Sequence, residues 1–123
     1  MRRLCLPPFL IVAMALASSN AQAFAVSFRW CGASPEFQLR DVPKGTTSLD
    51  LRMRDLMVPS YPHGGGSVSY RGEASIPCGS LSGSYRGPSP PPGQLHTYRW
   101  TVKALDASGK PLATATSERK FPE

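Results

Sequence analysis

Asp55, His63, His96 and Tyr98 are the side chains of this sequence whose types and placement could do chemistry, and the two histidines are the only ones the chain has. Asp55 closes the stretch SLDLRMRD, where it shares the parity of Leu49, Leu51 and Met53. His96 opens HTYRWTVKAL and shares the parity of Tyr98, Trp100 and Val102. If both stretches are strands, both polar groups point towards the core. A buried carboxylate or imidazole must be paired or face a cavity, because stranding it is costly. Each also has a plainer reading. Asp55 can be a turn residue bonding its own backbone before LMVP, and His96 a satisfied histidine at the rim. His63, in PHGGG, is either plain loop or part of a place where bare glycine backbone approaches a ligand.

Two reactive chemistries can be weighed against these residues. Two histidines and one carboxylate suit a divalent metal, but no HExxH or comparable spacing accompanies them. A nucleophilic triad needs a serine singled out beside a base, and the serines here are spread through turn-like stretches. The expectation is binding rather than catalysis, with no metal and no cofactor.

The elements that must position these residues are strands. FAVSFRW alternates Phe24, Val26, Phe28 and Trp30 against Ala25, Ser27 and Arg29, and the stretches ending in Asp55 and opening at His96 alternate in the same way. A period of two describes strands with one buried and one wet face. Weaker strands are expected at Phe37–Val42, Ser67–Arg71 and near Lys120. VPKGTT, PHGGG, RGEASIP and DASGKP are turn signals. With short connections and no crossover helix, the expectation is all-β, a single antiparallel β-sandwich. PLATATSERK is read as one short helical turn or an edge strand, and the tail from Glu118 as peripheral and dispensable. The segment GPSPPPG can be neither helix nor central strand, since proline lacks an N–H and fixes φ.

The first 23 residues read as an export leader. Arg2 and Arg3 form a basic start, LCLPPFLIVAMALA is an apolar run, and Ala21-Gln22-Ala23 is a small-x-small cleavage signal. The run is short and proline-interrupted, so a spanning helix is the poorer reading, and no later stretch would span a bilayer. Residues 24–123 form the single domain, expected to be periplasmic or secreted. The net charge of +6 falls to +4 without Arg2 and Arg3, and the basic residues are scattered singly, so nucleic acid is not an expected partner. Cys31 and Cys78 are the cysteines left beyond the leader. In an oxidising compartment they are most simply a disulfide; two buried free thiols are the alternative, and two cysteines supply only half a zinc shell.

From Ser34 to Asp106, SPEFQLRDVPKGTTSLDLRMRD, PHGGGSV and YRGPSPPPGQLHTYRWTVKALD are similar to the phosphatidylethanolamine-binding protein family, in its bacterial Raf-kinase-inhibitor-like group. The resemblance implies a β-sandwich with a small anion pocket at one end. Asp55 matches the first aspartate of the family's Asp-Pro-Asp-x-Pro motif and Pro59 its last proline, while Met57 stands in place of the second aspartate. His63 falls at a pocket histidine, without the usual neighbouring tryptophan. Gly87, Pro88, His96 and Tyr98 fit the second pocket motif, and the chain is shorter than typical members. The resemblance thus names Asp55, His63, Gly87, Pro88, His96 and Tyr98 as ligand-binding residues. A phosphate, phospho-headgroup or other small anion would lie against the stiff proline loop and take hydrogen bonds from imidazolium and phenol. Asp55 would accept from a histidine or meet an ammonium. A protein-interaction or protease-inhibitor-like module is the alternative, and a metal-dependent enzyme comes third.

Overall fold

A computed structural model describes residues 2–13, 23–81 and 84–123. Seven strands follow one another: β1 (Ala25–Arg29), β2 (Glu36–Arg40), β3 (Ser48–Asp55), β4 (Gly65–Ser69), β5 (Ser75–Ile76), β6 (His96–Leu105) and β7 (Pro111–Phe121). They form a three-stranded sheet in the order β1-β2-β5 and a four-stranded sheet in the order β4-β3-β6-β7, with every pairing antiparallel. The chain is an all-β sandwich, and there is no helix among the described residues. Of the expected leader, Met1 and residues 14–22, including most of the cleavage signal, lie outside the described residues. Residues 2–13 form neither helix nor strand, and Leu4, Leu6, Phe9, Leu10, Ile11 and Val12 are exposed. No described helix is long and apolar enough to cross a membrane.

The alternation in β3 and β6 sets the core. Leu49, Leu51 and Met53 from β3 meet Tyr98, Trp100, Val102 and Ala104 from β6 on the inner face, and the opposing sheet adds Phe28, Phe37, Leu39 and Ile76. Trp100 is the centre: its ring meets Phe37 edge-on at 5.0 Å and Phe28 at 6.4 Å. Cys31 and Cys78 are joined in a disulfide, 47 residues apart, tying the loop after β1 to the turn after β5. In a chain-entropy account, closing such a loop stabilises the fold by about 4 kcal/mol.

Of the two readings of PLATATSERK the edge strand holds, whereas the expectation of a peripheral tail from Glu118 does not. PLATATSERKF is neither a helical turn nor peripheral; it is an edge strand paired with β6 from His96↔Phe121 to Leu105↔Pro111. Its inward positions are Ala113, Ala115, Ser117, Arg119 and Phe121, small or polar except the last, so the strand carries no strong apolar alternation. Cross-sheet bonds hold it: the Trp30 indole N–H donates to the Lys120 carbonyl at 2.9 Å, and Arg119 Nη1 donates to the Phe28 carbonyl at 3.2 Å. Phe121 also packs on Trp30, with centroids 5.4 Å apart. Deleting Glu118 onward should therefore lower the melting temperature by more than about 8 °C, the equivalent of 1–2 kcal/mol for a domain this size. A calorimetric scan with an unchanged transition would show the last ladder to be dispensable.

Candidate functional site

The register of β3 against β6 builds the site. Asp55 pairs with Tyr98, and the ladder runs one step further through the Leu56 N–H, which donates to the Thr97 carbonyl at 2.9 Å. His96 lies two residues from Tyr98 on the same face, so it is the diagonal neighbour of Asp55, within reach of a side-chain contact. Both are buried, at 4% and 6% exposure. His96 Nδ1 lies 2.6 Å from Asp55 Oδ2 and donates to it. Asp55 Oδ1 meanwhile accepts the backbone N–H groups of Met57, at 2.8 Å, and Val58, at 3.3 Å. The turn reading and the paired reading of Asp55 are therefore both true, one for each oxygen. Burial raises its pKa, but the His96 hydrogen bond, the two backbone N–H groups and the His96 charge together outweigh burial and hold the carboxyl below its ordinary 3.8.

The other ring nitrogen of His96 is also engaged, because Nε2 lies 2.8 Å from Gln94 Oε1. An oxygen thus stands against each nitrogen of the ring, from Asp55 on one side and Gln94 on the other. Sequence reasoning cast His96 as a direct donor to a ligand. In the structure both of its ring nitrogens lie against side-chain oxygens, of Asp55 and Gln94, and the ring lines the cavity described below. Gln94 was not foreseen, and nothing in the proline-rich stretch around it signals the contact.

His63 is fixed from its own backbone. Its Nδ1 donates to the Arg86 carbonyl at 2.7 Å, and the Arg86 N–H returns a bond to the His63 carbonyl at 2.7 Å. The ring is buried at 3% exposure, lies against Tyr61 at 4.5 Å and meets Tyr98 edge-on at 5.4 Å. The glycines after it serve this packing rather than loose flexibility. Gly64 has φ +70° and a Cβ there would stand 2.6 Å from the Ser84 carbonyl, while a Cβ on Gly65 would overlap the Leu51 carbonyl. Only glycine lets those backbones approach.

Tyr98 completes the group. It is fully buried, and its hydroxyl has no partner of hydrogen-bonding geometry among the described residues. Burial first, then the charge of Asp55 and its proximity as an acceptor, push the phenol up to about 12. The Trp100 indole N–H, deeper in the core, likewise lacks an acceptor, with the Tyr85 ring 5.3 Å from its own ring.

Asp55, His63, His96 and Tyr98 line one cavity of about 180 Å³, together with Val58, Tyr61, Ser89, Pro90 and Pro91. At about 30 Å³ per water, that is room for a few waters or one small oxyanion. The proline stretch is its wall, but through Ser89–Pro91. Gly87 and Pro88 lie on the far side of the same stretch, in a separate cleft with Trp30, Cys31, Tyr85 and Phe121. Among the described residues, the one grouping of acidic, thiol or imidazole atoms close enough to hold a metal is Cys31, Glu36 and Cys78, and its two sulfurs are joined to each other. No family model matches the chain, and no curated protein or solved structure is significantly similar to it.

The lowered Asp55 pKa has a sign that can be tested. A carboxyl depressed in the native state stabilises the fold above its unfolded value, and that contribution is lost as pH falls through the native value. Asp55→Asn should cost about 3 kcal/mol at neutral pH, as for a buried pair deprived of one partner. The gap to the parent should narrow as the pH drops below 3.8, the ordinary aspartate value. Urea unfolding across the acid range checks this; a gap that stays constant would show that Asp55 carries no native-state charge interaction.

Proposed function

We propose that the chain is an exported binding domain, periplasmic or secreted and similar to phosphatidylethanolamine-binding proteins, whose end cavity takes a phosphate or phosphorylated headgroup. The observation that carries this reading is the meeting of Asp55, His63 and Tyr98, from three separated segments, around one cavity, beside a buried Tyr98 hydroxyl that makes no hydrogen bond of good geometry among the described residues. A buried polar group without a partner is costly unless a ligand or water meets it. The wall of Ser89, Pro90 and Pro91 is stiff, so ordering it around a ligand costs little. Export is supported by the leader pattern of the first 23 residues, by the exposed apolar side chains of residues 4–12, and by the disulfide.

A protein-interaction role has one observation in its favour. The two stretches that frame the mouth, LMVPSYP and GPSPPPGQL, contain no charged residue in a chain that is 18% charged. Met57, Val58, Tyr61 and Leu95 stand exposed there, at 57%, 42%, 41% and 50%. Methionine, tyrosine and an absence of charge are what the centre of a protein interface favours.

Titration with inorganic phosphate, followed by NMR at the His63 and Tyr98 rings, tests the phosphate reading. Saturable shifts at both rings are expected at millimolar phosphate or below. Tyr98→Phe should weaken binding about ten- to a hundredfold, the worth of a hydrogen bond to a charged group. The same variant should not lower the melting temperature, because it removes a buried hydroxyl that makes no hydrogen bond of good geometry among the described residues. Unmoved rings would leave the interaction role as the reading of this face.

A further inference from the structure

We propose that the outer face of the four-stranded sheet binds an acidic polysaccharide, with Arg52, Arg54, Arg99, Lys103 and Lys120 meeting its sulfate or carboxylate groups. This face is separate from the cavity, because strand alternation turns its residues away from the side that carries Asp55, His96 and Tyr98. In sequence these basic residues lie singly. The register of the sheet gathers them.

Arg54 on β3 stands opposite Arg99 on β6, which stands opposite Glu118 on β7. In the next row Arg52 is followed by Thr101 and Thr116, and in the row beyond it Asp50 by Lys103 and Thr114. At the cavity end Thr97 pairs with Lys120. These four rows hold five basic and two acidic side chains, a surplus of three out of the domain's net charge of +4. Arg52 reaches Asp50 at 3.4 Å and Arg99 reaches Glu118 at 2.6 Å. Arg54, Lys103 and Lys120 are exposed and make no salt bridge among the described residues. Like charges set directly opposite, as Arg54 and Arg99 are, destabilise a strand pair, and an anion lying across both would relieve them.

The chemistry of the rows narrows the partner. They cover about 20 Å along the strands and about 10 Å across them, room for a run of several sugar units. Every side chain in them is charged or carries a hydroxyl. No apolar group is there to enter a bilayer, and no aromatic ring to stack a single-stranded base. A face three strands wide is broader than the two-stranded ribbon that enters a duplex groove. Lysine, glutamate and aspartate are depleted where proteins meet. A hydrated polymer that mixes anionic groups with hydroxyls matches what remains. Guanidinium forks take sulfate or carboxylate oxygens in pairs, and threonine hydroxyls both give to and accept from sugar hydroxyls.

The test is calorimetric titration of the purified chain, over a range of salt concentrations, with heparin as the sulfated probe and polygalacturonate as the carboxylated one. The tighter of the two names the anionic group. Two double variants, each lowering the net charge equally, separate this face from general basicity. One is Arg54→Gln with Lys103→Gln; the other is Arg40→Gln with Lys44→Gln, exposed residues at the end of β2 and in the turn after it. The first should weaken binding on the order of tenfold or more. It should also lower the slope of log affinity against log salt by about two, one for each lost contact. The second should bind like the parent. Both should melt with the parent, since the replaced side chains are exposed and outside any salt bridge among the described residues. Equal weakening of the two variants would reduce the effect to net charge and overturn the proposal. Phosphatidylglycerol vesicles or duplex DNA bound more tightly than either polysaccharide would overturn it too, as would binding of neither polysaccharide.

Discussion

Asp55 ends β3 with its side chain turned inward, and the sandwich can close over that carboxylate only because three donors meet it. Two are backbone N–H groups of the turn it begins, and the third is His96 from the neighbouring strand. The contact at 2.6 Å crosses the ladder diagonally, so it exists only in the register that also stacks Leu51 and Met53 against Val102 and Trp100. A slip of one residue would turn every one of these side chains to the other face. The polar pair at the strand ends and the apolar centre thus specify the same alignment.

What surrounds that pair decides what the site can do. His96 is used up by Asp55 and Gln94, whereas His63 keeps one nitrogen and Tyr98 keeps its hydroxyl. The rigidity behind this is built from residues that look passive in the sequence. Gly64 and Gly65 permit the backbone approach that seats His63, the reciprocal bonds with Arg86 fix its ring, and the proline stretch closes the opposite wall. The walls of the cavity are thus largely fixed in advance, so little ordering cost would attach to filling it.

The parts of this arrangement that could be read from sequence are those governed by a period of two. β3 and β6 are buried on one face and wet on the other, so parity alone placed Asp55 and His96 inward, and the even cysteine pair beyond the leader gave the disulfide. β7 reads in sequence as either a helical turn or an edge strand, because inner positions of alanine, serine and arginine show no apolar stripe to decide between them. β5, only two residues long, lies inside a stretch read as a turn. Gln94 and the Arg86 carbonyl were invisible for a different reason: a contact made by a loop side chain or a backbone oxygen leaves no pattern in residue type. Gly87 and Pro88 were assigned to the wall by resemblance, but the wall is formed one residue further on, because the stretch is a partition with a cleft on each side.

The division of labour between the two histidines can be observed directly from the ring nitrogens. Long-range proton–nitrogen NMR spectra of the domain, labelled with nitrogen-15 and recorded without ligand at mildly alkaline pH, report which nitrogen of each imidazole bears the proton. His63 should be in the Nδ1–H form, with Nε2 unprotonated, and His96 should carry a hydrogen-bonded proton on Nδ1. A His63 ring protonated at Nε2 instead would break the bond to Arg86, turn the cavity's free nitrogen from acceptor to donor, and contradict the site as it is described.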